Sequence, residues 1–197
     1  MVFASKNSGK TKEVKALLEG SDITFCSLYD YQDIPEIIED GQSFFENALK
    51  KARIVSEWTG ETALADDSGL EVDALGGAPG IYSARYAGDD ATDAGNIRKL
   101  LEDLRDIEPD KRGGAFRCVL VLYRPGGHFE HFEGRWQGRI ADKPSGAGGF
   151  GYDPVFFLPE FSMTVAQLPP VLKNQLSHRA KAFRQLKNYL QGIISTE

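Results

Sequence analysis

Thr62-Ala63-Leu64-Ala65-Asp66-Asp67-Ser68-Gly69-Leu70 is an apolar run that meets two adjacent carboxylates. It continues into Gly76-Gly77-Ala78-Pro79-Gly80-Ile81-Tyr82-Ser83-Ala84-Arg85-Tyr86. The apolar residues read as a buried strand that ends in Asp-Asp. Such a strand delivers negative charge to the rim of a sheet, where open α/β folds bind ligands. Two neighbouring carboxylates repel unless a cation or a donor stands between them. Hard cations such as Mg²⁺ take oxygen ligands of this kind. The same residues also suit a solvated strand-to-turn corner, because Asp, Ser and Gly are ordinary turn formers. Taken alone, the stretch fits both readings equally.

Upstream of it, Met1 to Ser5 reads as a short first strand and Lys6-Asn7-Ser8-Gly9-Lys10-Thr11 as a polar loop. A helix follows with Val14, Leu17 and Leu18 on one face. Strand, loop and helix N-terminus together present backbone N–H groups to an anion, and Lys10 adds a point charge. The P-loop reading of Ser8-Gly9-Lys10-Thr11 fails, because Ala4 stands where that motif needs glycine. Ile23 to Leu28 reads as a second strand, and residues 29–42 as an acidic irregular segment. Ser43 and Glu46 form a capping box for a helix running through Trp58. Within that helix Lys51 faces either the core or solvent.

Downstream, Thr92 or Asp93 caps a third helix carrying Ile97, Leu100, Leu101 and Leu104, closed by Pro109. Phe116 to Tyr123 is an apolar strand. Pro125-Gly126-Gly127 turns it into an alternating strand from Phe129 to Ile140, so the sheet is mixed. His128 and His131 read as surface residues. Ser145 to Pro154 contains a formal G-x-G-x-x-G, but it precedes a strand (Val155 to Leu158) and lacks the helix that a dinucleotide site requires. It is either a surface loop or a pocket wall, in which Phe150 or Tyr152 stacks on a flat ligand and Asp153 accepts its N–H groups. Thr164 to Leu168 reads as a short helix stopped by Pro169-Pro170, with Lys173 in the next loop. Ser177 caps a last helix with Ala180, Phe183, Leu186 and Leu190 inward. His178 and Arg179 then occupy its first turn, where cations are slightly unfavourable and an anionic or carbonyl-bearing partner offsets them.

The chain of 197 residues suits one domain with two lobes and a sizeable core. A net charge of −6 argues against a broad nucleic-acid surface, but not against a phosphate held by a few placed cations. Cys26 and Cys118 lie among apolar neighbours without metal-type spacing and are expected as buried thiols in a reducing compartment. With no apolar run long enough for a membrane span and no leader, the expected location is the cytoplasm.

Taken together, the segments resemble the inosine triphosphate pyrophosphatase family, the dITP/XTP or non-standard purine nucleotide pyrophosphatases. The likeness is carried by Ala4 to Lys10, Glu46 to Arg53, Leu64 to Leu70, Leu75 to Tyr86, Gly148 to Pro154 and Ser177 to Ala180, in this order and spacing, nearly end to end. One departure is Ser5-Lys6-Asn7, where the family usually has Thr-Gly-Asn. The resemblance implies an α/β fold: an elongated mixed β-sheet flanked by helices in two lobes with a central cleft. It also implies Mg²⁺ and a homodimer, and hydrolysis of a purine nucleoside triphosphate to the monophosphate and pyrophosphate. By position, Asp67 matches the catalytic base and a metal ligand, Glu39 the second metal carboxylate, and Asp66 a helper. Ser5, Lys6, Asn7, Ser8, Gly9, Lys10, Lys51 and Ser68 match phosphate and ribose contacts. Phe150, Gly151, Tyr152, Asp153, Lys173, His178 and Arg179 match the base pocket. Donors from His178 or Arg179 would suit the six-position oxygen of hypoxanthine or xanthine and leave adenine's amino group unpaired, a discrimination of ~10⁴ or more in sites built on buried hydrogen bonds. Two rivals are a related branch acting on modified pyrimidine or methylated guanine nucleotides, against which Phe150 to Asp153 and Ser177 to Arg179 argue, and a nucleotide-binding regulator without turnover, against which Glu39, Asp66 and Asp67 argue.

Overall fold

A computed structural model describes residues 1–20, 23, 25–31 and 33–194. In chain order the elements are β1 (Val2–Phe3), α1 (Ser8–Leu18), β2 (Cys26–Ser27), α2 (Phe44–Thr59), β3 (Ala63–Val72), α3 (Asp93–Asp103), β4 (Gly113–Tyr123), β5 (Phe129–Ile140), β6 (Phe156–Leu158), β7 (Met163–Thr164), α4 (Pro170–Leu176) and α5 (His178–Ile194). The strands join in the order β2-β1-β3-β4-β5-β6-β7. β1 runs parallel to β2 and β3, with Phe3 opposite Leu64, whereas β6 is antiparallel to both β5 and β7. The sheet is therefore mixed, and helices pack on it.

The helices start where short polar side chains satisfy the orphan N–H groups of the first turn. Asn7 accepts from the Lys10 amide, Ser43 from Glu46 and Thr92 from Gly95. The box at α2 is only half formed. Glu46 reaches back past the cap to the Gln42 amide at 2.7 Å. α2 ends at Gly60, whose φ of 71° is left-handed and favours glycine.

The chain packs as two compact units. The first comprises Met1–Asp67, Cys118–Gly134 and Arg179–Glu197. Its core joins Phe3, Val14, Leu18, Leu64, Leu120, Leu122, Phe132, Phe183 and Leu186. The second comprises Ser68–Arg117 and Arg135–His178, with Leu70, Ile97, Leu100, Leu104, Phe116, Trp136, Val155 and Phe156 inside. A fully buried side chain of this size contributes about 1.5–3 kcal/mol relative to exposure, so each unit has its own substantial apolar core.

Several sequence expectations change. The strand carrying Asp66 and Asp67 does not end there; β3 continues to Val72 and stays largely buried. The reason is that each carboxylate is matched by cations, as described below, so the ladder has no need to stop. Ser8, Gly9 and Lys10 form the first turn of α1, because Asn7 caps the helix earlier than the loop reading allowed. Lys173 lies on α4, not in a loop: Pro170 occupies a first-turn position, where its missing N–H costs nothing, and so it starts a helix instead of stopping one. The Thr164–Leu168 segment is a single 3₁₀ turn, Val165–Gln167. Cys118 is buried as expected, but Cys26 is exposed on β2, the edge strand of the sheet. Of the predicted second strand, Thr24 lies outside the described residues, and the described strand is Cys26–Ser27.

Candidate active site

In the first unit, β3 carries Asp66 and Asp67 side by side. Successive residues on a strand face opposite ways, and the two carboxyls accordingly take different partners. Asp67 faces α2: Lys51 Nζ lies 2.9 Å from its Oδ1, and Asn47 Nδ2 donates to its Oδ2 at 3.3 Å. Lys51 Nζ also reaches Glu39 Oε1 at 3.0 Å. One ammonium therefore bridges the two carboxylates that the resemblance pairs as metal ligands. Lys51 faces the core, not solvent.

The segment bearing Glu39 is irregular, yet α2 fixes it. The Gly41 amide donates to Asn47 Oδ1 at 2.8 Å, and the Gln42 amide to Glu46. Asn47 thus ties the Glu39 segment with one end of its amide and Asp67 with the other. Sequence reading assigned Asn47 no role. Its polar side chain, four residues before Lys51 and therefore on the same helix face, is the signal that could have found it.

Asp66 is fully buried and forms a second cluster. Lys10 Nζ lies 2.9 Å from Oδ1 and Arg179 Nε 3.0 Å from Oδ2. Arg179 NH1 also donates to Glu13, on α1, and the Cys118 thiol lies 4.0 Å from Asp66 Oδ2. Arg179 is therefore built into an ion cluster with Asp66 and Glu13. Glu13, too, was missed. It follows Lys10 by one turn of α1, where an acid ordinarily reads as a solvated surface residue.

The electrostatics follow from these contacts. Burial alone would raise the Asp66 carboxyl, but Lys10, Arg179 and Lys51 outweigh it and hold Asp66 well below the usual carboxylate range. Burial wins at Asp67: together with the neighbouring Glu39 charge it raises that carboxyl above its ordinary value, against the pull of Lys51 and Lys10. Glu39 is lowered, because Lys51 overcomes its partial burial. Lys51 stays above the ordinary lysine value, because Asp67 and Glu39 overcome its burial. The Cys118 thiol is pushed up by burial and by Asp66, so it stays protonated and inert. Among the described contacts the cations are shared: Lys51 lies between Asp67 and Glu39, Arg179 between Asp66 and Glu13, and Lys10 lies on Asp66.

At the strand end leading into α1, the Asn7 amide donates to Ser5 Oγ at 3.2 Å and its side chain caps Lys10. Lys6 is exposed, and its carbonyl accepts from the Tyr29 hydroxyl at 2.5 Å. Ser8 and Gly9 supply first-turn amides. This is a helix N-terminus of the kind that suits phosphate oxygens.

The second unit holds the other predicted group. Lys173 Nζ bonds Asp153 Oδ2 and lies 5.1 Å from the Phe150 ring centroid. Phe150 N donates to the same Oδ2 at 3.0 Å, and Gly151 N to Asp93 at 2.7 Å. Gly149 has φ 73°, and a Cβ there would lie 1.8 Å from Asp153 Oδ2, so only glycine lets the loop close over the carboxylate. Tyr152 is buried, donating to the Ser83 carbonyl at 2.9 Å. His178 stacks on Phe116 with ring centroids 4.9 Å apart. Phe150, Gly151, Asp153 and Lys173 thus come together, whereas Tyr152 serves the core and His178 a ring stack. Ser68 follows Asp67 on β3, half-buried.

The model of the Ham1 family matches residues 1–189. The chain belongs to the Ham1 family. It is similar to the dITP/XTP pyrophosphatase of Geobacter sulfurreducens, at 51% identity with 98% of each chain covered. It is also similar to the dITP/XTP pyrophosphatase of Shouchella clausii, at 48% identity over 98% of this chain and 97% of that one. Among solved structures it resembles a HAM1 protein from Coxiella burnetii (44% identity, TM-score 0.89, 97% and 98% of the two chains). It also resembles the Staphylococcus aureus Ham1 protein (40% identity, TM-score 0.87, 97% of each). The family expected from the sequence motifs and the mixed sheet expected from the hairpin are both borne out. Among the described residues no group of three or more His, Cys, Asp or Glu side chains is placed to hold a metal ion.

Proposed function

We propose that this Ham1-family chain hydrolyses dITP, ITP and XTP to the nucleoside monophosphate and pyrophosphate, clearing non-standard purines from the nucleotide pool. The observation that carries the reading is the convergence of Glu39 and Asp67 on one ammonium. The names of the relatives support the substrate class.

The donor set suits Mg²⁺. That ion is commonly held by one or two carboxylates together with substrate phosphates and water, and Glu39 and Asp67 already share one cation. When bound, the ion would neutralise phosphate oxygens and order the attacking water. Asp67, in its ionised form, takes a proton from that water at a carboxylate oxygen as it attacks the α-phosphorus. The bond to the β-phosphate oxygen breaks, and pyrophosphate leaves with the charge. Lys10, Lys51 and the first-turn amides of α1 stabilise that charge. Asn47 keeps Asp67 in position. The family resemblance assigns Phe150, Asp153, Lys173 and His178 to the purine. The homodimer is carried from the family resemblance, and the cytoplasmic location from the sequence expectation stated above. Among the described residues no helix is long and apolar enough to cross a membrane.

The test is product release over a panel of dITP, ITP, XTP, dATP, dGTP and a modified pyrimidine nucleotide, with Mg²⁺ and with chelator. Equimolar monophosphate and pyrophosphate from the inosine and xanthosine nucleotides, lost with chelator, is expected. Orthophosphate as the product, or preference for dATP, overturns the reading.

A further inference from the structure

We propose that Lys51 is a resident counter-ion which a divalent cation must displace, so that metal and triphosphate bind this chain cooperatively. The inference rests on the reading of Glu39 and Asp67 as cation ligands and adds an exchange step to it. Lys51 Nζ sits 3.0 Å from Glu39 Oε1 and 2.9 Å from Asp67 Oδ1. A divalent cation taken up by this carboxylate pair would compete with the ammonium for the same oxygens.

The rest of the local structure favours exchange over a fixed bridge. Lys51 hangs from α2 by a stem with four rotatable bonds, so its ammonium can swing aside without moving the helix. Asp67 and the Glu39 segment do not depend on Lys51 for their positions, because Asn47 holds both. A displaced ammonium in a buried site needs a new anion, and a triphosphate supplies one. Metal alone therefore has to expel a buried charge with nowhere to go. Metal with triphosphate gives that charge a partner, and by linkage each ligand tightens the other by the same factor.

The experiment is Mn²⁺ binding to the metal-free full chain, followed by electron paramagnetic resonance without nucleotide, in wild type, Lys51→Met and Lys51→Arg. Lys51→Met removes the competitor and should bind Mn²⁺ about tenfold more tightly than wild type, or better, while Lys51→Arg keeps a competing cation and stays near wild type. Equal or weaker binding by Lys51→Met overturns the exchange but leaves the carboxylate site standing. No binding by any of the three, even with a triphosphate analogue that resists hydrolysis, removes the carboxylate site and the exchange with it. A second measurement needs no folded variant. In wild type the side-chain ammonium resonance of Lys51 should shift as Mg²⁺ is titrated; a resonance that stays put at saturating Mg²⁺ overturns the proposal.

Discussion

The carboxylates of β3 and the loop around Asp153 both keep charge inside protein, but they balance it differently. Asp153 meets one ammonium, that of Lys173, and the Phe150 ring lies against the same ammonium. Around Asp66 and Asp67 the cations are shared between carboxylates, Lys51 by Asp67 and Glu39 and Arg179 by Asp66 and Glu13. A single pair beside a ring suits a neutral, flat ligand such as a purine, which needs hydrogen bonds and a surface to lie on. A shared cation suits a site whose charges are rearranged when a charged ligand arrives. The contrast also runs inside the first cluster: Asp66, with two cations, is held ionised, whereas Asp67, sharing one with Glu39, is raised.

The sharpest way to break this contrast is to treat the two aspartates alike. Asp67→Asn should lower the rate of pyrophosphate release from dITP by about a thousandfold, within the usual range for losing a general base, with the thermal midpoint kept. Steady-state rates and circular-dichroism melts check both halves. A variant retaining near-wild-type turnover removes Asp67 from the chemistry.

Asp66→Ala should instead act on stability. It strands Arg179 and Lys10 beside Glu13 and should cost about 3–5 kcal/mol in urea unfolding, as the loss of one partner from a buried ion cluster does. The pH dependence has a definite sign. The folded carboxyl is depressed, so its contribution is fully present above the unfolded value of about 3.9 and fades as pH falls from there toward the folded value. The gap between wild type and variant should be constant through neutral pH and close only in acid. A loss below about 1 kcal/mol at pH 7 would mean that the cluster is no more than a surface arrangement.

What was legible in the sequence divides along the same line. Periodicity and caps placed the strands and helices, because Val14 with Leu18, and Phe132 with Trp136, carry the core pattern in their spacing. The residues that meet at the site are far apart in the chain, and pattern alone brought none of them together; the family motifs named most of them. Pattern expected an anionic or carbonyl-bearing partner for Arg179, but neither pattern nor motif named Asp66 and Glu13. Nothing local says that a first-turn arginine will be claimed by two carboxylates, one on a strand and one on another helix. Glu13 and Asn47 were missed for the matching reason: an acid or an amide on a helix looks solvated until its partner is known. Pro169-Pro170 misled because proline both stops and starts helices, and only the chain after it decides which.

In the second unit the effects should be smaller. Lys173→Met leaves Asp153 without its ammonium and Phe150 without its cation. KM for dITP should rise about tenfold, the equivalent of ~1.4 kcal/mol, with kcat changed less. If kcat falls as far as it does in Asp67→Asn, the two regions share one task and the contrast fails.

The smallest effect belongs to a surface pair that looks similar on paper. Tyr86 donates to Asp103 at 2.5 Å, and Lys99 lies 3.1 Å from the same carboxylate. Burial and the Asp103 carboxylate push the Tyr86 hydroxyl up to about 12, and the Tyr86 hydrogen bond lowers Asp103. Asp103 is largely in solvent, however, and water screens such contacts, so Asp103→Asn should cost no more than about 1 kcal/mol at pH 7. Its sign matches that of Asp66: a depressed carboxyl stabilises above about pH 4 and loses that contribution as pH falls. Urea unfolding at neutral and acid pH should therefore show a small difference that vanishes in acid. A loss as large as that of Asp66→Ala would mean that burial is not what separates these carboxylates.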